Sequence, residues 1–336
     1  MKITMAHGSG GESTSKLIES VFAKHFKNQF LDKLEDSAVV PGNGRLAVTT
    51  DSFVVTPIEF PGGDIGRLSI CGTVNDLLMS GAKPMYLTCG CILEEGLDIE
   101  VLDRVIASMA KTAKEAGVVI ITGDTKVIEN KGGTPGLIIN TSGVGFISED
   151  LDVPGPLKLQ DGDKIVLSGN LGDHHAAILG TRMGIESNIV SDDAPLVEMV
   201  QKLLDNNIRV HAMRDVTRGG LGTVLNEFAS ASQCSIELNE DELPVSPAVK
   251  DFCGILGLDP MYMGNEGKMV LSVHPDDADE ALLLIRQSKY GENAAIVGEV
   301  KKNQESADNI NVTVRTKIGG KRVVGLMYGE GLPRIC

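Results

Sequence analysis

The sequence predicts an α+β protein of two domains, and three observations carry that expectation. The chain is 336 residues long, about twice an ordinary domain. Helical and strand-like hydrophobic periods both recur along it, without the strict alternation of a doubly wound sheet. A turn-rich connection, Asp152-Val153-Pro154-Gly155-Pro156, divides it near the middle. The expected domains are residues 1–150 and 151–327, followed by a tail over 328–336.

The first domain opens on a glycine-rich loop, His7-Gly8-Ser9-Gly10-Gly11. Leu17, Ile18, Val21, Phe22 and Phe26 then form one apolar stripe at helical spacing, predicting a helix over Glu12 to Lys27. Ala38 to Val40 and Leu46 to Thr50 read as strands around Pro41-Gly42-Asn43-Gly44. The helical period returns from Gly63 to Gly81 and stops before Pro84. Tyr86 to Leu93 is a buried strand, and Ile99 to Ala116 an amphipathic helix closed by Gly117. Val118 to Thr122 and Gly136 to Ile147 are strands.

The second domain begins with a strand at Lys164 to Ser168. Helices follow at Asp173 to Met183, Ala194 to Asn206 and Gly219 to Ser232. Strands fall at Ser235 to Leu238, Lys268 to Val273 and Ala295 to Val300. A polar stretch, Lys301 to Asn309, precedes a hairpin of Asn311 to Thr316 and Arg322 to Met327 that turns at Gly319-Gly320. The nine residues from Tyr328 to Cys336 span roughly 30 Å when extended, enough to reach a site on another domain or subunit.

Composition removes several function classes. Net charge is −15, Trp is absent and aromatics are 4%. Binding to nucleic acid or to an anionic membrane is therefore not expected, since polyanions are repelled and a base-stacking platform is lacking. No apolar run reaches the length of a membrane span. The six cysteines are scattered, with no C-x-x-C pair, so neither a disulfide framework nor a zinc site is expected. These features suit a soluble protein of a reducing cytoplasm.

Four acidic or glycine-rich segments recur at expected strand ends or in a helix. They are Thr49-Thr50-Asp51-Ser52-Phe53, Gly72-Thr73-Val74-Asn75-Asp76-Leu77, Thr122-Gly123-Asp124-Thr125-Lys126 and Met213-Arg214-Asp215-Val216-Thr217-Arg218-Gly219-Gly220. Hard cations take oxygen ligands and combine a few carboxylates with nucleotide phosphates. Asp51, Asp76 and Asp124 suit Mg²⁺ if the fold gathers them; taken singly, each reads more simply as a turn or cap aspartate. Ser9-Gly10-Gly11 and Arg218-Gly219-Gly220 lead into helices, where backbone N–H groups favour phosphate. No Gly-Lys-Ser/Thr ends the first loop, so it is not a Walker A loop. Asp173-His174-His175 reads as a helix cap with surface histidines, and Cys89 and Cys91 as apolar-like residues on one strand face. Gly264-Asn265-Glu266-Gly267-Lys268 sets a carboxylate in a glycine-flanked loop, and Cys336 ends a mobile tail that exposes its thiol.

Together these segments resemble the HypE family of hydrogenase maturation proteins, within the PurM-like ATP-dependent superfamily. The likeness rests on Ala6-His7-Gly8-Ser9-Gly10-Gly11, Thr50-Asp51-Ser52-Phe53, Val74-Asn75-Asp76, Gly123-Asp124-Thr125-Lys126, Arg214 to Gly220 and Pro333-Arg334-Ile335-Cys336. The interior segments specify only the superfamily, which includes aminoimidazole ribonucleotide synthetase and selenophosphate synthetase. The final Pro-Arg-Ile-Cys selects HypE.

The resemblance implies an N-terminal sheet that forms a homodimer core, a C-terminal α/β sandwich, and ATP with Mg²⁺ near the domain and subunit interface. It implies that HypF carbamoylates Cys336, that ATP drives dehydration of the thiocarboxamide to a thiocyanate, and that the HypC–HypD complex receives the cyanide for [NiFe]-hydrogenase. ATP contacts are expected from Ser9, Gly10, Gly11, Asp51, Asp76, Asp124, Asp215, Arg218, Gly219 and Gly220. Glu266 is the expected general base, and Lys126 the cation facing the developing oxyanion or phosphate. Selenophosphate synthesis is the nearest alternative, weakened because the N-terminal loop has no cysteine. A nucleotide-sensing scaffold whose tail docks on a partner is another.

Overall fold

The structure, a computed structural model, describes residues 2–8, 12–29, 44–302 and 312–326. It divides into two compact units at Asp150/Leu151, with Leu78–Gly81 grouping with the second.

In the first unit, α1 (Glu12–Leu17) runs through a π-helical stretch, Ile18–Ala23, into α2 (Lys24–Phe26). Leu17, Val21 and Phe26 of the apolar stripe are buried. Then come β1 (Arg45–Phe53), β2 (Glu59–Phe60), β3 (Gly63–Asp64), α3 (Ile65–Met79), β4 (Lys83–Glu94), α4 (Ile99–Ala116), β5 (Val119–Ile128) and β6 (Leu137–Ile147). Four of these strands form a sheet in the order β1-β6-β4-β5. Only β4 and β5 are parallel, which requires a crossover, and α4 supplies it. The Asp98 side chain accepts from the Glu100 N–H at the start of α4, and Gly117 in the left-handed region ends it.

The strands alternate between two faces. Thr141 of β6 and Cys89 and Cys91 of β4 point inward and are buried. Thr141 bonds to Thr73 of α3 and donates to the Ser69 carbonyl, so α3 covers this inner face. The outer face carries Leu46 and Val48 of β1, Ile92 of β4 and Ile128 of β5, all exposed.

The second unit contains β7 (Lys164–Leu167), α5 (Asp173–Met183), α6 (Val197–Asp205), β8 (Val210–Asp215), α7 (Gly220–Ser232), β9 (Cys234–Asn239), α8 (Pro247–Leu256), β10 (Met269–Val273), α9 (Ala278–Arg286), β11 (Ala295–Lys302), β12 (Val312–Arg315) and β13 (Lys321–Val324). Its seven-stranded sheet has the order β13-β12-β9-β11-β7-β10-β8. Every pairing is antiparallel except β12 with β9. Leu221, Leu225 and Phe228 of α7 join Ile236, Leu238, Val312 and Val314 of the sheet in one apolar core. A second cluster joins Ala176, Ala177 and Leu179 of α5 to Val249 and Phe252 of α8.

The α+β class, the helix α4 and the β12–β13 hairpin are as the sequence predicts. Five elements escape it: the two-residue strands β2 and β3, the second lying where a helical period from Gly63 is expected, and β8, α8 and α9. β8 mixes Val210, His211 and Arg214 without an apolar period, while α8 and α9 lie in charged, turn-rich sequence. The Ser246 cap that accepts from the Val249 N–H, with Pro247 at the first position, is nonetheless a helix-start signature. The strand expected at Ala38 to Val40, the Ser9-Gly10-Gly11 loop and the tail from Tyr328 to Cys336 lie outside the described residues.

Candidate functional site

The first unit brings two of the three candidate metal carboxylates together. Asp51 lies within β1 and pairs with Thr141 of β6, so it faces inward. Its Oδ2 is 3.6 Å from where a Cβ on Gly72 of α3 would stand. One helical turn on, Asp76 Oδ2 accepts from Thr49 Oγ1 at 2.9 Å, and Thr49 shares the inward face of β1 with Asp51. The segments that carry Asp51 and Asp76 therefore meet along one seam between β1 and α3.

Asp124 is elsewhere. It pairs with Gly90 of β4, in the row that contains Asn140 and Ser52, so it belongs to the outer face. Asp51 and Asp124 are on opposite edge strands, three spacings or roughly 14 Å apart. Asp124 and Lys126 form an ion pair at 2.8 Å, with exposures of 68% and 65%. The Lys126 hydrogen bond, above all, holds the Asp124 carboxyl below its usual range. Both Asp51 and Asp124 sit inside strands rather than at strand ends, because the pairing of β1 with β6 and of β4 with β5 continues through them. Among the described residues no group of three His, Cys, Asp or Glu side chains is placed to hold a metal ion.

The second unit gathers a different set. Asp215 ends β8, and Val216-Thr217-Arg218-Gly219 leads into α7. Gly220 has φ 62°, and a Cβ there would stand 2.5 Å from the Met261 carbonyl oxygen, so only glycine fits this helix start. Arg218 is exposed beside it. The loop holding Glu266 is fastened to this segment. Asn265 donates its backbone N–H to the Val216 carbonyl at 3.0 Å and its Nδ2 to the same oxygen at 3.1 Å. Asn265 Oδ1 accepts from the Gly172 N–H at 2.8 Å, and the Val216 N–H donates to the Lys268 carbonyl at 2.9 Å. The candidate phosphate loop, the candidate base loop and the start of α5 are thus one hydrogen-bonded assembly.

Its electrostatics are those of a partly dry site. Glu266 is buried. Asp192 Oδ1 accepts from the Glu266 N–H at 3.0 Å, and Asp192 Oδ2 lies 3.4 Å from Lys268 Nζ. Desolvation, with Asp192 adding repulsion, pushes the Asp173 carboxyl up to about 6. His174 Nδ1 is 2.8 Å from Ser191 Oγ. Burial lowers both His174 and His175 to about 4.

This corrects the surface reading of the two histidines. The whole run from His174 to Gly180 is buried, because α5 is enclosed by α8 and by the loops before α6 and β10. Asp192, Lys268 and Asn265 were not expected as functional residues. Ser191-Asp192-Asp193 has no spacing that marks it as buried, and Lys268 reads as the polar start of a strand. The glycines around Glu266 were the only legible signal.

The family of AIR synthase related protein N-terminal domains matches residues 34–147, and that of AIR synthase related protein C-terminal domains matches 160–310. The carbamoyl dehydratase HypE of Escherichia coli strain K12 is 45% identical over 99% of this chain and 99% of its own. A crystal structure of the hydrogenase maturation protein HypE in complex with ATP superposes with a TM-score of 0.94, at 45% identity and 99% coverage of both chains. A crystal structure of a HypE–HypF complex matches with a TM-score of 0.79 at 42% identity, over 93% of this chain and 99% of that one.

Proposed function

The chain belongs to the carbamoyl dehydratase HypE family, and on that premise we propose that it dehydrates a carbamoyl group carried on its own Cys336 to a thiocyanate. The observation that carries this reading is the 45% identity to a carbamoyl dehydratase across 99% of both chains. ATP is the co-substrate. The carbamoyl oxygen takes the γ-phosphoryl group, phosphate leaves with that oxygen, and loss of both N–H protons completes the nitrile. The products are thiocyanate, ADP and phosphate. HypF supplies the carbamoyl group, and the HypC–HypD complex accepts the cyanide for the iron of [NiFe]-hydrogenase.

The residues fit distinct parts of this chemistry. Glu266, buried in a loop pinned on three sides, takes a proton as nitrogen loses it. The Gly220 helix start and Arg218 receive phosphate, with Ser9, Gly10 and Gly11 as the second cradle. Asp51 and Asp76 fit Mg²⁺ as two oxygen donors completed by ATP phosphates, the usual arrangement for that ion. When bound, Mg²⁺ neutralises charge on the transferring phosphoryl group. Asp124 and Lys126 belong to the outer sheet face, away from the Asp51–Asp76 seam, so Lys126 serves the developing oxyanion only where the carbamoylated tail is bound against that outer face. Residues 1–150 are then the ATP-binding and dimer unit. Among the described residues no helix is long and apolar enough to cross a membrane, and Cys71, Cys89, Cys91, Cys234 and Cys253 are buried thiols, which suits a reducing cytoplasm.

The test is the mass of the Cys336 peptide after incubating the full chain with HypF, carbamoyl phosphate and ATP. The wild-type peptide should gain a carbamoyl group and then lose the equivalent of water. Cys336→Ala should bind ATP and gain nothing. A carbamoyl adduct on Cys71 or Cys234 in that variant would overturn the assignment.

A further inference from the structure

The loop that holds Glu266 is fixed by a charge pair whose second member is two residues away in the chain. Asp192 Oδ1 takes the Glu266 N–H at 3.0 Å, and Lys268 Nζ approaches Asp192 Oδ2 at 3.4 Å while donating to the Gly267 carbonyl at 3.1 Å. Both side chains are almost wholly enclosed, at 3% and 8% exposure. The contact is close: a Cβ on Gly267 would stand 1.9 Å from the Asp192 carbonyl oxygen. The Lys268 stem fills the space beside Gly169, where a Cβ would be 2.8 Å from Lys268 Cε. A buried ion pair seldom adds stability over apolar residues of the same shape, so its presence asks for another role.

We propose that Asp192 and Lys268 are positioning residues for the dehydration: Asp192 fixes the Glu266 backbone, and the two opposite charges together set how tightly the Glu266 carboxylate holds a proton. The proposal rests on the reading of Glu266 as the base. Lys268 favours the ionised carboxylate, whereas Asp192 opposes it. The other titratable and charged groups of this assembly are Asp173, His174 and His175 on α5, Asp193 beside Asp192, and Asp215 and Arg218 between β8 and α7. Asp192 and Lys268 both act on Asp173, and Asp192 acts on His174. With the pair intact its net charge is zero.

The experiment is single-turnover conversion of the carbamoylated full chain to thiocyanate with ATP, followed by mass, as a function of pH. Asp192→Asn keeps an oxygen for the Glu266 N–H and removes one charge. Lys268, left uncompensated, should move the acid limb of the profile to lower pH and weaken the base. The rate at neutral pH should fall about tenfold, a fraction of the usual contribution of general base catalysis. Lys268→Met keeps a stem beside Gly169 and should move the limb to higher pH. The double variant should bring the limb back to the wild-type position, with ATP affinity unchanged throughout. A purely structural pair would lower the rate without moving the limb, and the double variant would be the worst of the three; that outcome overturns the proposal. So does a wild-type profile in Asp192→Asn when Glu266→Gln stalls at the carbamoyl stage. If Glu266→Gln itself converts at the wild-type rate, the reading of the base fails instead.

Discussion

At the scale of single residues, two glycines with the same lack of a side chain have opposite consequences. Gly267 lies against the Asp192–Ala194 backbone, with a Cβ 1.9 Å from one carbonyl oxygen and 2.9 Å from Ala194 N. Gly267→Ala must separate two buried loops, at a cost of about 1–3 kcal/mol. Gly254, exposed on α8, has nothing within 4 Å of a Cβ, so Gly254→Ala should stabilise by roughly 0.5–1 kcal/mol. Urea melts of the two variants check both signs, and the first should also slow thiocyanate formation while leaving carbamoylation of Cys336 intact. The glycines flanking Glu266 were readable in the sequence as a mark of close approach. What approaches is the chain's own Asp192 loop, and nothing in a one-dimensional pattern names a contact between residues 192 and 267. Asp51 and Asp76 were legible in the same limited sense, as acids in polar segments. Their shared seam, and the displacement of Asp124 to the other face, depend on strand order.

At the scale of elements, α5 should give the protein a measurable acid sensitivity. The sequence marked its helix correctly but not its burial, since a short run of His and Ala has no stripe to distinguish an enclosed helix from a surface one. His174 and His175 are held near 4 by desolvation, below the ordinary imidazole value. Between about pH 6.5 and 4 the unfolded chain therefore binds two protons that the folded chain refuses, and stability falls as pH falls. Asp173 acts the other way: raised to about 6, it binds a proton in the fold before it does so unfolded, and favours the fold at lower pH. The net is between one and two protons, a slope of about 1.4 to 2.7 kcal/mol per pH unit, the higher figure applying as solvent screening weakens the Asp173 shift. Thermal melts from pH 7 to 4.5 should show this fall. His175→Gln should flatten the slope by about one proton, and Asp173→Asn should steepen it. A melting temperature independent of pH over that window would mean that neither histidine is buried as a neutral ring.

At the scale of the whole molecule, the expectation of a homodimer came from family likeness alone, because composition and period say nothing about oligomers. A place for it is proposed on the outer face of the first unit's sheet. The four-stranded sheet has α3 on one face. On the other, Val48 is 70% exposed and Leu46 51%, with Ile92 and Ile128 also open, around a polar ladder of Thr50, Ser52, Asn140 and Ser142. An apolar sheet face of this kind is a docking surface when it is large and contiguous. Each chain carries a charge of −15, so two copies repel, and apolar contact must outweigh that repulsion. We expect the wild-type chain to run as a dimer in light scattering, more tightly so at higher salt, where the repulsion is screened. Val48→Lys should yield monomers. It reduces the net negative charge of each copy, so weaker association cannot be blamed on added repulsion. Because Val48 is mostly exposed, the fold of the chain itself should be untouched, and the melt of a dilute sample tests that. A dimer that persists with Val48→Lys and Leu46→Lys together would move the interface off this sheet.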